Sequence, residues 1–306
     1  MNTLAVARQR TDGLEWNRFV DSHRAGCWWH REEWLDYCLA YDRNARDLSF
    51  ALIDPKTKKL IALCPGIESA GKIRMGDDPC IGMISLDEPN IKADLLAEAG
   101  RRFAGYTCSW RFNQYPSTQT EFATLLAQRG FTRSSWNTAV VGLKQDNCWG
   151  AVRKSYRSLI RKSQREFDLE SGKSYWAHYE TIHRRTATRP RPKETYDYQK
   201  QWLEAGYAQV FIACGKGKRP KSEVPLAAAL VIQYKGHGYY ASGSSIEPNL
   251  QHALQWMAIE WLAKQGATSY ELGWVDRYGA EDSIGFFKRG FGGDLYTVDV
   301  IAGAMK

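Results

Sequence analysis

The sequence predicts an α/β protein with mixed sheets, built as two successive halves, 1–145 and 146–306, joined by a basic helix. Three observations lead there. Apolar runs of strand length alternate with segments of helical period along the whole chain. The order of elements in the first half recurs in the second, without obvious sequence identity between the two. A length of 306 residues suits one large core or two domains of about 150 residues each. Hydrophobic and charged contents of 43% and 25% belong to a soluble globular protein.

The elements follow in order. Residues 11–43 carry Trp16, Phe19 and Val20, then Trp34, Leu35 and Cys38, at helical intervals, which predicts one or two helices. Strands are expected at 49–53 and 60–65 around a polar turn. Residues 66–90, rich in Gly, Asp and Pro, read as an irregular loop region. A helix over 91–103, a strand over 106–111, a helix over 118–129 closed by Gly130 and a strand over 135–143 complete the first half. The second half opens with a helix over 148–167, followed by helices over 177–187 and 195–205. Strands at 209–214, 226–234 and 239–245 precede an apolar helix over 250–265 and a strand over 269–272. The loop at 215–221 is glycine- and lysine-rich but lacks the G-x-x-x-x-G-K-[ST] spacing of a phosphate loop.

Seven dispersed cysteines, with no C-x-x-C pair, indicate reduced thiols rather than a disulfide framework or zinc site. The six histidines show no metal-ligand spacing. No apolar run is long enough to span a bilayer and no leader pattern opens the chain, so a cytoplasmic protein without membrane insertion is expected. The net charge of +8 is concentrated: residues 153–193 hold 12 basic and 4 acidic residues. That points to an anionic partner.

Four stretches carry a family resemblance. Gly130, Phe131 and Thr132 lead to the strand 138–143. Cys148, Trp149 and Gly150 precede Arg153, Arg157 and Arg161. Tyr239, Tyr240 and Gly243 are followed by Gln255, Trp256, Glu260 and Gly266. Last come Phe286, Phe287, Lys288, Gly290, Phe291, Gly292 and Gly293. Together they resemble the Fem family of non-ribosomal peptidyltransferases, over roughly half the chain. The last two stretches are the specific ones.

The resemblance implies two tandem GNAT-like domains, an acceptor-side N-terminal domain and a C-terminal acyltransferase domain. It also implies transfer of an amino acid from charged tRNA to the amine of a small acceptor. The helical hairpin arm that some family members insert between the domains is absent, since a single helix is expected between the two halves. Residues 75–80 replace the Pro-Arg-Gly-Pro-like loop of cell-wall members, which puts a cell-wall acceptor in doubt. The segment around His183 is closer to relatives that modify antibiotics, surface sugars or other small amines. A phosphate-bearing acceptor and a monomeric protein are expected.

Aminolysis of an ester needs an uncharged amine, a route for its proton and stabilisation of an oxyanion. Lys288, beside Phe287 and flanked by glycines, is the candidate oxyanion partner, the role that the resemblance gives it. Tyr239 and Tyr240 alternate across a strand, and Tyr240 is assigned to the cleft. Arg153, Arg157, Arg161 and Arg165 recur every four residues with no acid between them, a stripe suited to donor tRNA. Arg184, Arg185, Arg189 and Arg191 surround two prolines and suit a phosphate. Asp77 and Asp78 are paired carboxylates that fit acceptor binding, though Asp-Asp-Pro is also ordinary turn chemistry. Glu271 and Asp276 bracket Gly273 and Trp274 and are further acceptor-side candidates. No Ser/His/Asp or Cys/His relay is apparent, so direct attack without a covalent enzyme intermediate is expected.

No resident cofactor is expected, because the acyl donor is itself a substrate. In the GNAT fold the turn after the splayed central strand holds the pyrophosphate of coenzyme A. Here residues 244–251 contain no glycine and no arginine, and they carry Glu247. That weighs against acetyl-CoA but leaves an acyl-CoA- or acyl-carrier-protein-dependent N-acyltransferase as the alternative. A non-enzymatic RNA-binding scaffold is a third reading, opposed by the retained Phe287–Lys288 motif.

Overall fold

The computed structural model describes residues 3–11, 13–75, 78–113, 120–144, 148–187, 191–217, 225–276 and 283–305. The chain divides into two compact units. The first is Met1–Trp136 with Thr297–Lys306, and the second is Asn137–Tyr296. The sequence-based division at 145/146 instead places residues 137–145 in the first half and residues 297–306 in the second.

The first unit contains β1 (Leu4–Ala7), α1 (Gly13–Ser22), α2 (Glu32–Tyr41), β2 (Arg46–Asp47), β3 (Phe50–Ile53), β4 (Leu60–Cys64), β5 (Ile67–Ser69), β6 (Lys72–Ile73), β7 (Cys80–Ile81) and β8 (Ile84–Ser85). It continues with α3 (Pro89–Arg102), β9 (Thr107–Asn113), α4 (Thr120–Gln128) and the first part of β10 (Thr132–Gly142). β1, β3, β4 and β8 form one antiparallel sheet. β9 anchors the other, with β6 and β7 parallel to it. Trp16, Trp28, Phe50, Phe103, Trp110 and Phe112 fill the core.

Residues 66–90, expected to be irregular, hold four short strands, β5 to β8. Each is two or three residues long, β5 pairing with β2 and β6, β6 and β7 with β9, and β8 with β4. No local periodicity could show that. The first unit also holds a partly buried ion cluster. Arg8, 6% exposed, bonds Asp47 at 2.7 Å and Asp36 at 2.8 Å.

The second unit contains the rest of β10, then α5 (Cys148–Ala151), α6 (Lys154–Glu166), β11 (Phe167–Ser171), α7 (Trp176–Thr186), α8 (Lys193–Glu204), β12 (Ala208–Gly215) and β13 (Ala227–Tyr234). β14 (His237–Ser245), α9 (Leu250–Lys264), β15 (Ser269–Trp274) and α10 (Ser283–Arg289) follow, with β16 (Asp294–Ala304) leading back to the first unit. In this unit the strand order is β11-β12-β13-β14-β15-β10.

Residues 227–232 of β13 are fully buried one after another, as expected for a strand covered on both faces. Ala227, Ala229 and Val231 join a core cluster with Tyr156 and Ile160 of α6 and with Leu250, Leu254, Ile259 and Leu262 of α9. The intervening residues of β13 face the opposite way. α7 packs on β13 and β14, and α8 on β12.

The single helix expected over 148–167 is broken. Arg153 is extended, with φ −49° and ψ 135°, and its N–H bonds the Gly290 carbonyl at 2.8 Å instead of continuing the helix. Phe167 then starts β11 rather than ending the helix. Among the described residues, no helix is long and apolar enough to cross a membrane.

Candidate functional site

The site begins where two strands part. β14 and β15 run parallel through three register pairs, ending at Tyr239↔Glu271. β14 then stays with β13, while β15 pairs with β10. In the β13–β14 ladder Leu230 faces Ser242 and Val231 faces Tyr240, so Ala241 is an extra, bulged residue. A bulge reverses the alternation of faces. Tyr239 is therefore buried, Tyr240 packs against the core cluster of α6 and α9, and Ser242 turns to the Tyr179 hydroxyl on α7.

An open cavity of about 510 Å³ lies beside these residues. Tyr240, Ser242 and Gly243 supply one wall, Gln251 and His252 of α9 a second, and Phe287 and Lys288 of α10 a third. His183 and Arg191 also line it. The described lining therefore has two cationic side chains and no carboxylate.

Close backbone approach fixes these groups. A Cβ on Gly243 would lie 2.1 Å from the Tyr240 hydroxyl, so only glycine leaves room for that ring. A Cβ on Gly285 would lie 1.8 Å from the Val275 carbonyl oxygen, which is why α10 can rest directly on the chain just after β15. With α10 seated there, Lys288 Nζ donates to the Trp274 carbonyl at 2.8 Å. Phe287 packs edge-to-face on His252 and Phe291, with centroids at 5.0 and 5.2 Å.

The two histidines differ in their bonding. His183 Nδ1 shares a hydrogen bond of 2.9 Å with the Tyr196 hydroxyl. Burial, with Arg191 and Arg184 adding to it, lowers its pKa to about 4. His252 Nδ1 lies 2.9 Å from the Asn249 carbonyl oxygen, and Asn249 occupies the left-handed region at φ 69° before α9. Burial lowers the His252 pKa as well, opposed by the Asn249 bond and aided by Arg153. Desolvation, with a contribution from Tyr179, raises the Tyr240 hydroxyl far above the usual tyrosine range.

The structure brings Lys288, Phe287, Tyr240 and Arg191 together and leaves the other expected residues elsewhere. Arg153, expelled from the helix stripe by the break before α6, stacks its guanidinium 4.0 Å over the Phe286 ring. Arg157, Arg161 and Arg165 stay on α6, and no described carboxylate pairs with them. Arg161 lies 5.3 Å over the Trp149 ring. Arg184 is neutralised by Glu180 at 2.7 Å.

Asp78 lies in the first unit, where its backbone exchanges hydrogen bonds of 2.8 and 2.9 Å with that of Met75. Glu271 and Asp276 do not line the cavity. Thr138 of β10 donates to Glu271 at 3.0 Å, and the Asn137 N–H donates to Asp276 at 2.9 Å. Asp77 and Arg189 fall outside the described residues. His252, Ser242 and Gln251 were not singled out from the sequence, and Gly243 and His183 entered only as parts of longer motifs without a role of their own. The one local cue was a histidine three residues after an Asn at a helix start.

No family model matches the sequence, and no curated protein matches it. Solved structures do match. FemX does so with a TM-score of 0.68, at 14% identity over 98% of this chain and 97% of that one. L-PGS from Bacillus licheniformis gives 0.63, at 12% identity over 96% and 92%. A tandem GNAT protein from the clavulanic acid biosynthesis pathway gives 0.60, at 11% identity over 100% and 98%. The chain has the tandem GNAT fold. At such identities the likeness speaks for the fold alone, and the chemistry rests on the cavity.

Proposed function

We propose that this protein is an N-acyltransferase that forms an amide between an amino acid carried as an ester on tRNA and the amine of a small acceptor. The observation that carries the reading is the cavity at the β14–β15 splay, where Lys288 and Tyr240 converge beside Phe287. An ammonium donor held in place beside the acyl carbon stabilises the oxyanion of a tetrahedral intermediate without having to reorganise as the charge develops. Lys288 keeps one N–H on the Trp274 carbonyl, which orients the rest of the group. The acceptor amine attacks the acyl carbon directly, and the ribose oxygen leaves.

The turn between β14 and α9 supports an ester on RNA over coenzyme A. Gln251 fills it, donating to the carbonyls of Ser244 at 2.8 Å and Ala228 at 2.9 Å. Glu247 is exposed beside it and adds a negative charge where a pyrophosphate would need to sit. Arg161 and Arg165, exposed on α6, and the half-buried Arg157 supply cationic contacts for an acceptor stem. The clavulanic-pathway neighbour, described as a tandem GNAT protein without AcCoA, keeps an acyl-CoA or carrier-protein donor as the second reading.

Incubation with radiolabelled aminoacyl-tRNA, or with labelled acetyl-CoA, and a panel of primary amines tests the choice. Labelled amide from charged tRNA, lost in Lys288→Met, supports the proposal. Amide from acetyl-CoA alone overturns it.

A further inference from the structure

Resting on the acyl-transfer reading, we infer that His252 is the proton acceptor of the reaction, with Nε2 as the working atom. The argument is geometric. A carbonyl oxygen can only accept, so the contact of His252 Nδ1 with the Asn249 carbonyl at 2.9 Å places the ring proton on Nδ1. The neutral ring then carries its lone pair on Nε2. Among the described residues Nε2 has no hydrogen-bond partner, and His252 lines the cavity that holds Lys288 and Tyr240. The ring is held by Tyr156 of α6, at 4.2 Å between centroids, and by Phe287 of α10, at 5.0 Å. It is therefore oriented at both ends while its basic nitrogen stays available.

The surroundings explain why a neutral base belongs here. The charged or titratable groups around the ring are Arg153 and Tyr156 from the α6 side, Lys288 from α10, and Tyr240, His183 and Arg191 across the cavity. The cations outnumber any described acid, since the lining has no carboxylate. Such a field disfavours an imidazolium, and it equally disfavours an acceptor bound as an ammonium. An amine that enters uncharged must still lose a proton once its nitrogen has bonded to the acyl carbon. His183 is less suited, because Nδ1 is engaged with Tyr196 and two arginines crowd it.

The step balances without an added reactant. The amine nitrogen bonds to the acyl carbon, and Nε2 takes the proton from that nitrogen. The C–O bond to the ribose then breaks, and the imidazolium returns the proton to the departing oxygen. Amide and alcohol form, and the histidine ends neutral.

His252→Asn tests this, because its side-chain amide can keep the bond to the Asn249 carbonyl while removing the base. With charged tRNA and glycinamide or glucosamine as acceptors, we expect kcat to fall about 100- to 1,000-fold with KM for the tRNA within about threefold. The acid limb of the wild-type pH–rate profile should disappear in the variant. External imidazole should restore part of the rate in His252→Ala. In the wild-type apo protein, long-range nitrogen–proton NMR should show the Nδ1–H tautomer at neutral pH. A fall of less than fivefold with an unchanged pH profile, or an Nε2–H tautomer, overturns the role of His252 even if the protein transfers acyl groups. Absence of transfer by the wild type from every donor overturns the function and this role together.

Discussion

Gly243→Ala puts the geometry of the site to a direct physical test. The added Cβ would lie 2.1 Å from the Tyr240 hydroxyl oxygen, 2.9 Å from Gln251 Oε1 and 3.0 Å from Tyr240 Cζ. Ordinary contact begins near 3.4 Å, so the hydroxyl must retreat by more than 1 Å. Gln251 cannot give way cheaply, because its amide nitrogen holds two main-chain carbonyls. Overpacking of this kind costs about 1–3 kcal/mol. A displacement of about 1 Å at a reacting centre costs on the order of 100-fold in rate. Tyr240→Phe removes the atom in the worst clash, so the double variant should recover at least about 1 kcal/mol relative to the sum of the single changes. Urea denaturation of the four proteins measures the coupling without any knowledge of the substrate. Gly243→Ala within about 0.5 kcal/mol of wild type, together with strict additivity, would refute the placement of Tyr240.

Three further outcomes are expected. His183, with its pKa lowered from 6.5 to about 4, binds fewer protons folded than unfolded between those values. Its stability contribution is therefore complete above pH 6.5 and lost toward pH 4, by about 3 kcal/mol. His183→Gln should flatten that part of the stability curve, and an acid limb identical to wild type would count against the buried neutral ring. Arg8→Met leaves Asp47, 1% exposed, without its partner, for a loss of about 3–5 kcal/mol. Asp47→Asn in the same background should return part of it in thermal denaturation, and a loss below about 1 kcal/mol would contradict the buried network. Arg157→Ala with Arg161→Ala should lower the salt slope of tRNA binding by about 0.7–0.9 per lost phosphate contact, and an unchanged slope would remove α6 from the interface.

The sequence made the long, periodic elements legible. The apolar helix at 250–265 and the strands at 209–214 and 226–234 match α9, β12 and β13 closely, because continuous apolar runs report burial directly. The alternation at Tyr239 and Tyr240 put one of the two on the cleft side without saying which, and it is Tyr240 that lines the cavity. What stayed hidden depends on partners distant in sequence. The strands between Ile67 and Ser85 are too short to have a period, and β16, which lies between β10 and β9, was not predicted. The break before α6 depends on a hydrogen bond from Arg153 to Gly290. Glu271 and Asp276 looked available as acids, yet the register of β10 against β15 occupies both. His252 carried no motif. Its character comes from the left-handed backbone at Asn249, and single-sequence patterns do not encode that.

The return of β16 to the first unit has a consequence for biosynthesis. Val298 to Ala304 pair along β9 from Asn113 to Thr107, so the amino-terminal unit lacks a full-length neighbour for that strand until the carboxy-terminal segment has been made. During translation the amino-terminal unit must wait, its sheet open along one side, while the intervening unit emerges and can close around its own core. Released chains ending before Thr297 should accordingly resist protease in the later-made unit first.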